Sequence, residues 1–222
     1  MSADLIVSYD GTSNDDDALA LGKLLAGTGA TMALAYIRHA REFDPGREEL
    51  AQHDAERRLE QGAAWLGDPG IARHVVFSSS TGEGLEQLAE EEHASVIVFG
   101  SDYRTPPGHA EPGTSAQRLL EGGSVAIAVA AAGLRSQAET GIESIAAVGA
   151  EGDTAPREIA EALAGKLGAK VVDLGPPIDL IIVGSQPNAG SRRITLSGAT
   201  RTMLNSARGS VLVIPSGAAL RL

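Results

Sequence analysis

The stretch SVIVFGS at 95–101 recurs as DLIIVGS at 179–185, and this recurrence decides the fold. Each copy is a run of apolar β-formers closing on Gly-Ser, so that Gly100-Ser101 corresponds to Gly184-Ser185. Each leads into a Gly/Pro-rich loop, a short helical stretch opened by small residues, and a last β-run, VAIAVA at 125–130 or VLVIPS at 211–216. A repeated strand–loop–helix–strand unit with glycines at its turns predicts a duplicated α/β domain. It also directs attention to the strand carboxyl ends, where open parallel sheets bind ligands.

Upstream of the first copy, strand and helix signals alternate. ADLIVSY (3–9) reads as a buried strand, 13–25 as a helix, ATMALAYI (30–37) as a strand and 47–66 as a charged amphipathic helix. HVVFSS (74–79) is a third strand and 84–92 a third helix. Such alternation implies parallel pairing through right-handed crossovers. Residues 131–142 (AAGLRSQAETGI) are small and polar, as a linker is. The pattern then restarts with SIAAVGA (144–150), a helix over 154–166, and AKVVDL (169–174); GPP at 175–177 turns straight into DLIIVGS. Counterparts of the second helix, third strand and third helix are missing. The expected fold is therefore α/β: an open, parallel, five-stranded sheet with helices on both faces over 1–132, a linker over 133–142, and a truncated repeat over 143–222.

Composition agrees. Of the 222 residues, 43% are hydrophobic and 3% aromatic, so the core is built from Ala, Val, Leu and Ile, which suits buried parallel strands. There is no cysteine, which excludes disulfide and thiolate chemistry and allows a reducing compartment; a cytoplasmic location is the expectation. No apolar run approaches the ~20 residues of a membrane helix, and MSADLIVSYDG enters a strand without a basic or long apolar signal region. The net charge is −11; residues 1–137 carry 21 acidic and 10 basic side chains, residues 138–222 carry 8 of each. An acidic first half argues against a nucleic-acid surface.

The order of elements resembles the universal stress protein family in a tandem arrangement. The likeness rests on VSYDGT (7–12), SVIVFGS and the glycine spacing beyond. Nucleotide-binding members carry Gly, two residues, Gly, nine residues, then Gly-Ser or Gly-Thr. Gly100, Gly113 and Thr114 fit that frame, while Tyr103 stands at the second Gly; in the second half Gly184 fits, Pro187 stands at the second Gly, and Ser197-Gly198 replaces Gly-Ser. The resemblance implies ATP or a related adenine nucleotide, with a divalent ion such as Mg2+, bound in the first half by a stress-response sensor or regulator. Asp10 would meet base and ribose, Ile37 and Phe99 would line the base slot, and Gly100, Gly113, Thr114 and Ser115 would hold phosphates. It also implies that VAIAVA and VLVIPS pair antiparallel as an internal pseudo-dimer, covering two sheet edges that invite aggregation, with a further homodimer open.

The residues themselves leave alternatives. Asp10-Gly11 also serves as a strand-to-helix turn. Asp15, Asp16 and Asp17 loosely resemble the calcium-binding acids of nucleoside hydrolases, but the spacing from Asp10 is longer and Pro is absent; Ser13 as N-cap with Asp16 three residues on is the simpler reading. In the loop GSDYRTPPGHAEPGTS (100–115), Asp102 adds negative charge, and Tyr103 in a left-handed conformation would cost about 1–2 kcal/mol and crowd a phosphate path. A degenerate interaction scaffold of the same fold is thus one alternative, and a nucleotide or nucleoside hydrolase another. The five histidines show no metal-ligand spacing, and Walker A and GxSxG patterns are absent. Three missing elements argue against a closed nucleotide pocket in the second half; Arg192 and Arg193 could hold a phosphate there, but solvent-facing charges are the simpler reading.

Overall fold

The computed structural model describes residues 2–137, 139–175, 178–186, 190–218 and 220–222; the expectations for Pro187 and for Pro176 and Pro177 of the GPP turn lie outside them. The first half runs β1 (Leu5–Ser8), α1 (Ser13–Ala26), β2 (Met32–Arg38), α2 (Pro45–Leu66), β3 (Ala72–Phe77), α3 (Thr81–Glu92), β4 (Val96–Phe99), α4 (Thr114–Leu119) and β5 (Ala126–Val129). After a single 3-10 turn at Leu134–Ser136 come β6 (Ser144–Val148), α5 (Ala155–Leu167), β7 (Lys170–Val171), β8 (Leu180–Gly184), α6 (Gly198–Ser206) and β9 (Ser210–Ile214).

The strands form one sheet in the order β3-β2-β1-β4-β5-β9-β8-β6-β7. Neighbours are parallel except at the seam, where β5 and β9 pair antiparallel with Ile127 opposite Val213 and Val129 opposite Val211. The last strands of the two halves thus face each other, and neither is left as an edge. Strand alternation sorts the apolar side chains onto two faces. Leu5, Val7, Leu34 and Val98 lie under α1 and α2 in a cluster that continues through Ile145, Leu180 and Leu163 of α5. Ile6, Ile97 and Ile127 lie under α3 and α4 in a second cluster that continues through Ile181, Val211 and Leu204 of α6. Both clusters cross the seam, so the hydrophobic interior is continuous between halves.

One expectation needs correction, and the linker has a fixed path. The strand expected over 169–174 shrinks to Lys170–Val171, because among the described residues no outer strand pairs beyond it; Leu174 is already 54% exposed. The stretch expected to be a linker is bolted to α1. Asp17, 1% exposed, accepts from the backbone N–H of Gly133 (2.9 Å) and of Arg135 (2.8 Å) and from the Arg135 guanidinium (2.9 Å). A buried carboxylate is tolerable only when so many donors replace its water, and here they fix the path of the chain between halves.

Candidate functional site

The chain leaves β1 toward β2 on one side, and β4 leads to β5 on the other. The strand order therefore reverses between β1 and β4, and at such a switch point the two crossing connections part to leave a crevice outside the carboxyl ends. β1 and β4 are in register through Val7 and Val98, and β1 and β2 through Ser8 and Ala35. The structure thus brings Asp10, Ile37 and Gly100 to the same end of three adjacent strands.

The residues there have distinct tasks. Gly100 is needed for packing: a methyl group at its position would overlap the carbonyl oxygen of Asn14 and stand 2.7 Å from its carbonyl carbon. The first turn of α1 therefore rests directly on the end of β4, and the Asn14 side-chain amide donates to the Ser101 carbonyl at 3.0 Å. Gly113 is the N-cap of α4, and a methyl group there would meet nothing within 4 Å, so this glycine opens onto space with Thr114 and Ser115 beside it. Ile37 and Phe99 are core residues first, buried in one cluster with Leu85, Ala116 and Leu119.

The β1 end is acidic. Asp15 accepts from the backbone N–H of Asp10 (3.0 Å), from that of Thr12 (3.1 Å) and from the Thr12 hydroxyl (2.9 Å). The cap of α1 is therefore Thr12 with Asp15, not Ser13 with Asp16, because Thr12 holds the extended backbone that an N-cap requires. Burial and the adjacent Asp10 carboxyl push Asp15 up to about 7. Burial also raises Asp16, whose carboxylate accepts from the Tyr9 hydroxyl at 3.4 Å; burial and Asp16 push that phenol up to about 12. With Asp17 committed to Arg135, no three acids among the described residues converge on a metal site. The nearest guanidinium from α2, that of Arg58, donates to the Asp10 carbonyl and to Asp54.

The loop from Gly100 to Gly113 is held by Ser101, whose hydroxyl donates to the Ala130 carbonyl (2.6 Å) and accepts the Glu111 N–H (3.1 Å). Tyr103 does not take the left-handed conformation expected of it; among the described residues only His93 and Arg192 do so without being glycine. Its ring is 72% exposed beside the Arg104 guanidinium, 4.9 Å from centroid to Cζ.

The second half repeats this framework. Ser185 donates to the Ile214 carbonyl (2.8 Å) and accepts the Thr195 N–H (3.4 Å). Each of these partners is the repeat counterpart of one in the first half: Ser185 of Ser101, Thr195 of Glu111 and Ile214 of Ala130. An open cavity of about 490 Å³ lies at the ends of β6 and β8, lined by Gly149, Ala150, Gly184, Gln186, Ser197 and Thr200 among others. The missing elements belong to the sheet's far edge, so their loss spares the switch point between β6 and β8. Ala150 stands where the first half has Asp10, and no charged side chain lines this cavity.

A mostly parallel sheet whose strand order reverses beside the first strand of each half defines an open α/β architecture. A universal stress protein from Archaeoglobus fulgidus DSM 4304 shares it at 15% identity, with a TM-score of 0.59 over 98% of this chain and 100% of that one. A protein of unknown function from Pseudomonas aeruginosa PAO1 shares it at 15% identity and a TM-score of 0.60, over 96% of this chain and 93% of that one. The chain therefore has the universal stress protein fold. No protein-family model matches the sequence, and no curated protein matches it. Among the described residues no helix is long and apolar enough to cross a membrane.

Proposed function

We propose that the protein binds an adenine nucleotide, ATP or a relative, in the β1–β4 crevice and acts as a regulator of universal-stress type. The observation that carries this reading is the switch point itself, with Asp10 on one side and the open Gly113 on the other. Asp10 would accept from ribose hydroxyls or a base amino group. The hydroxyls and backbone N–H groups of Thr114 and Ser115 would face the phosphates, and Mg2+ would offset the charge of Asp10 and Asp15. In this reading 1–132 and 143–222 are two units of one fold, and the second supplies the partner strand β9. A cytoplasmic stress response and a further homodimer belong to the same proposal.

The uncharged cavity of about 490 Å³ favours a second reading, in which the β6–β8 crevice is the ligand site. Calorimetric titration of Mg-ATP separates the two. Gly113→Trp should abolish binding and Thr200→Trp should leave it unchanged; the reverse result assigns the ligand to the second half. No heat with the wild-type protein refutes both and leaves the scaffold reading.

A further inference from the structure

The junction of the two halves holds two cavities whose linings correspond at ten positions, at the same offset that relates Ser101 to Ser185. One, of about 230 Å³, is lined by Pro107, Gly108, Ala131, Gln137, Asp179 and Ser210 among others. The other, of about 620 Å³, is lined by the counterparts Ser191, Arg192, Pro215, Arg221, Ser95 and Ala126. The shared backbone is kept: Gly108 donates to the Ala132 carbonyl at 2.8 Å, and Arg192 to the Ser216 carbonyl at 2.9 Å. The side chains are not kept. Gly108, His109 and Gln137 become Arg192, Arg193 and Arg221.

The change at Arg192 runs against the backbone. Gly108 sits at φ +80° and Arg192 at φ +58°, a left-handed conformation that glycine adopts freely and arginine does not. Strain held at an exposed position points to a use for the side chain. Arg193 is anchored, its guanidinium donating to the Gly122 carbonyl at 2.6 Å. None of the three arginines has a carboxylate within ion-pairing distance among the described residues. Of the two acids in the lining, Glu86 is occupied by the N–H and hydroxyl of Ser124, both at 2.8 Å, while Glu90 remains to accept from a ligand hydroxyl.

We propose that this larger cleft binds a phosphate monoester, its phosphate held by Arg192, Arg193 and Arg221 and its hydroxyl-bearing body lying toward Glu90. Guanidinium forks match phosphate oxygens in pairs, and the volume suits a small phosphorylated molecule. The site lies where β4 and β5 begin, at the opposite end of those strands from the β1–β4 crevice, and stands independently of the function proposed above. The probe is ribose 5-phosphate, titrated calorimetrically at low salt in a buffer free of phosphate and sulfate, with ribose as control. The expected result is binding of ribose 5-phosphate but not ribose, weakened at least about tenfold in Arg192→Gly/Arg221→Gln. Arg192→Gly alone should keep or raise the melting temperature, since glycine suits φ +58°, which separates lost binding from lost folding. No binding by the wild-type protein, or equal affinity in the double variant, overturns the proposal.

Discussion

The two strand–loop–helix–strand units, 95–130 and 179–214, share a frame among their described residues and carry different chemistry. In both, a serine after the fourth-strand glycine ties the loop to the end of the last strand. In both, the next helix is capped at the matching position, by Gly113 after Gly100 and by Ser197 after Gly184. In both, the second residue of the half's first helix, Asn14 or Pro156, rests against the glycine. The side chains around that frame diverge. The first crevice is bounded by Asp10 and Asp15, the second by Gly149 and Ala150; the first loop tip carries Gly108, the second Arg192. The repeated glycine and serine thus build the frame in both units. Ligand choice resides in the positions where the units differ.

The largest effect should come from the frame. Gly100→Ala drives a methyl into the backbone of Asn14 and should cost about 3 kcal/mol, while Gly113→Ala, with open space around it, should stay within about 0.5 kcal/mol. Urea denaturation of both variants checks this, and equal losses would break the distinction between frame and site. Next comes Asp17. The corresponding place in α5, counted from the N-caps Thr12 and Thr154, is Ile159, so this anchor belongs to the first unit alone. Asp17→Ala should cost about 2 kcal/mol and speed proteolysis between the halves. A smaller exchange tests the loop tips: Arg192→Gly should stabilise, and Gly108→Arg destabilise, by about 1 kcal/mol each in thermal melts.

The smallest effect is on pH. Asp15 is held near 7, above its ordinary value of 3.8. The folded protein therefore binds a proton that the unfolded chain releases between those values. The resulting stabilisation is full below about 4 and lost as pH rises through about 7. Asp15→Asn should accordingly raise the melting temperature more at pH 8 than at pH 5. Wild-type affinity for Mg-ATP should fall above pH 7, as Asp15 adds a second carboxylate charge beside Asp10.

Much of this was legible in the sequence, for local reasons. Apolar runs closing on Gly-Ser mark strands whose next turn must be tight, and the order of runs fixes which strands neighbour which. The pairing of 125–130 with 211–216 followed from the resemblance, and the register of Ile127 on Val213 supplies it. What the sequence hid is long-range. Asp17 reads as one more acid in a helix's first turns until the chain returns at Gly133 and Arg135. Gly100 reads as a phosphate glycine, and its packing against Asn14 is invisible until the fold is seen. The cavity at β6–β8 was hidden because counting missing elements does not say which edge of the sheet they left. One signal was available: aligning the copies on their Gly-Ser pairs sets Gly108 directly against Arg192.

The most direct test is a crystal structure of the protein grown with Mg-ATP. The expected result is nucleotide between Asp10 and Gly113, with the ribose toward Asp10 and the phosphates toward Thr114 and Ser115. Nucleotide at Ser197 and Thr200 instead, or an empty β1–β4 crevice at saturating Mg-ATP, would contradict the proposed site.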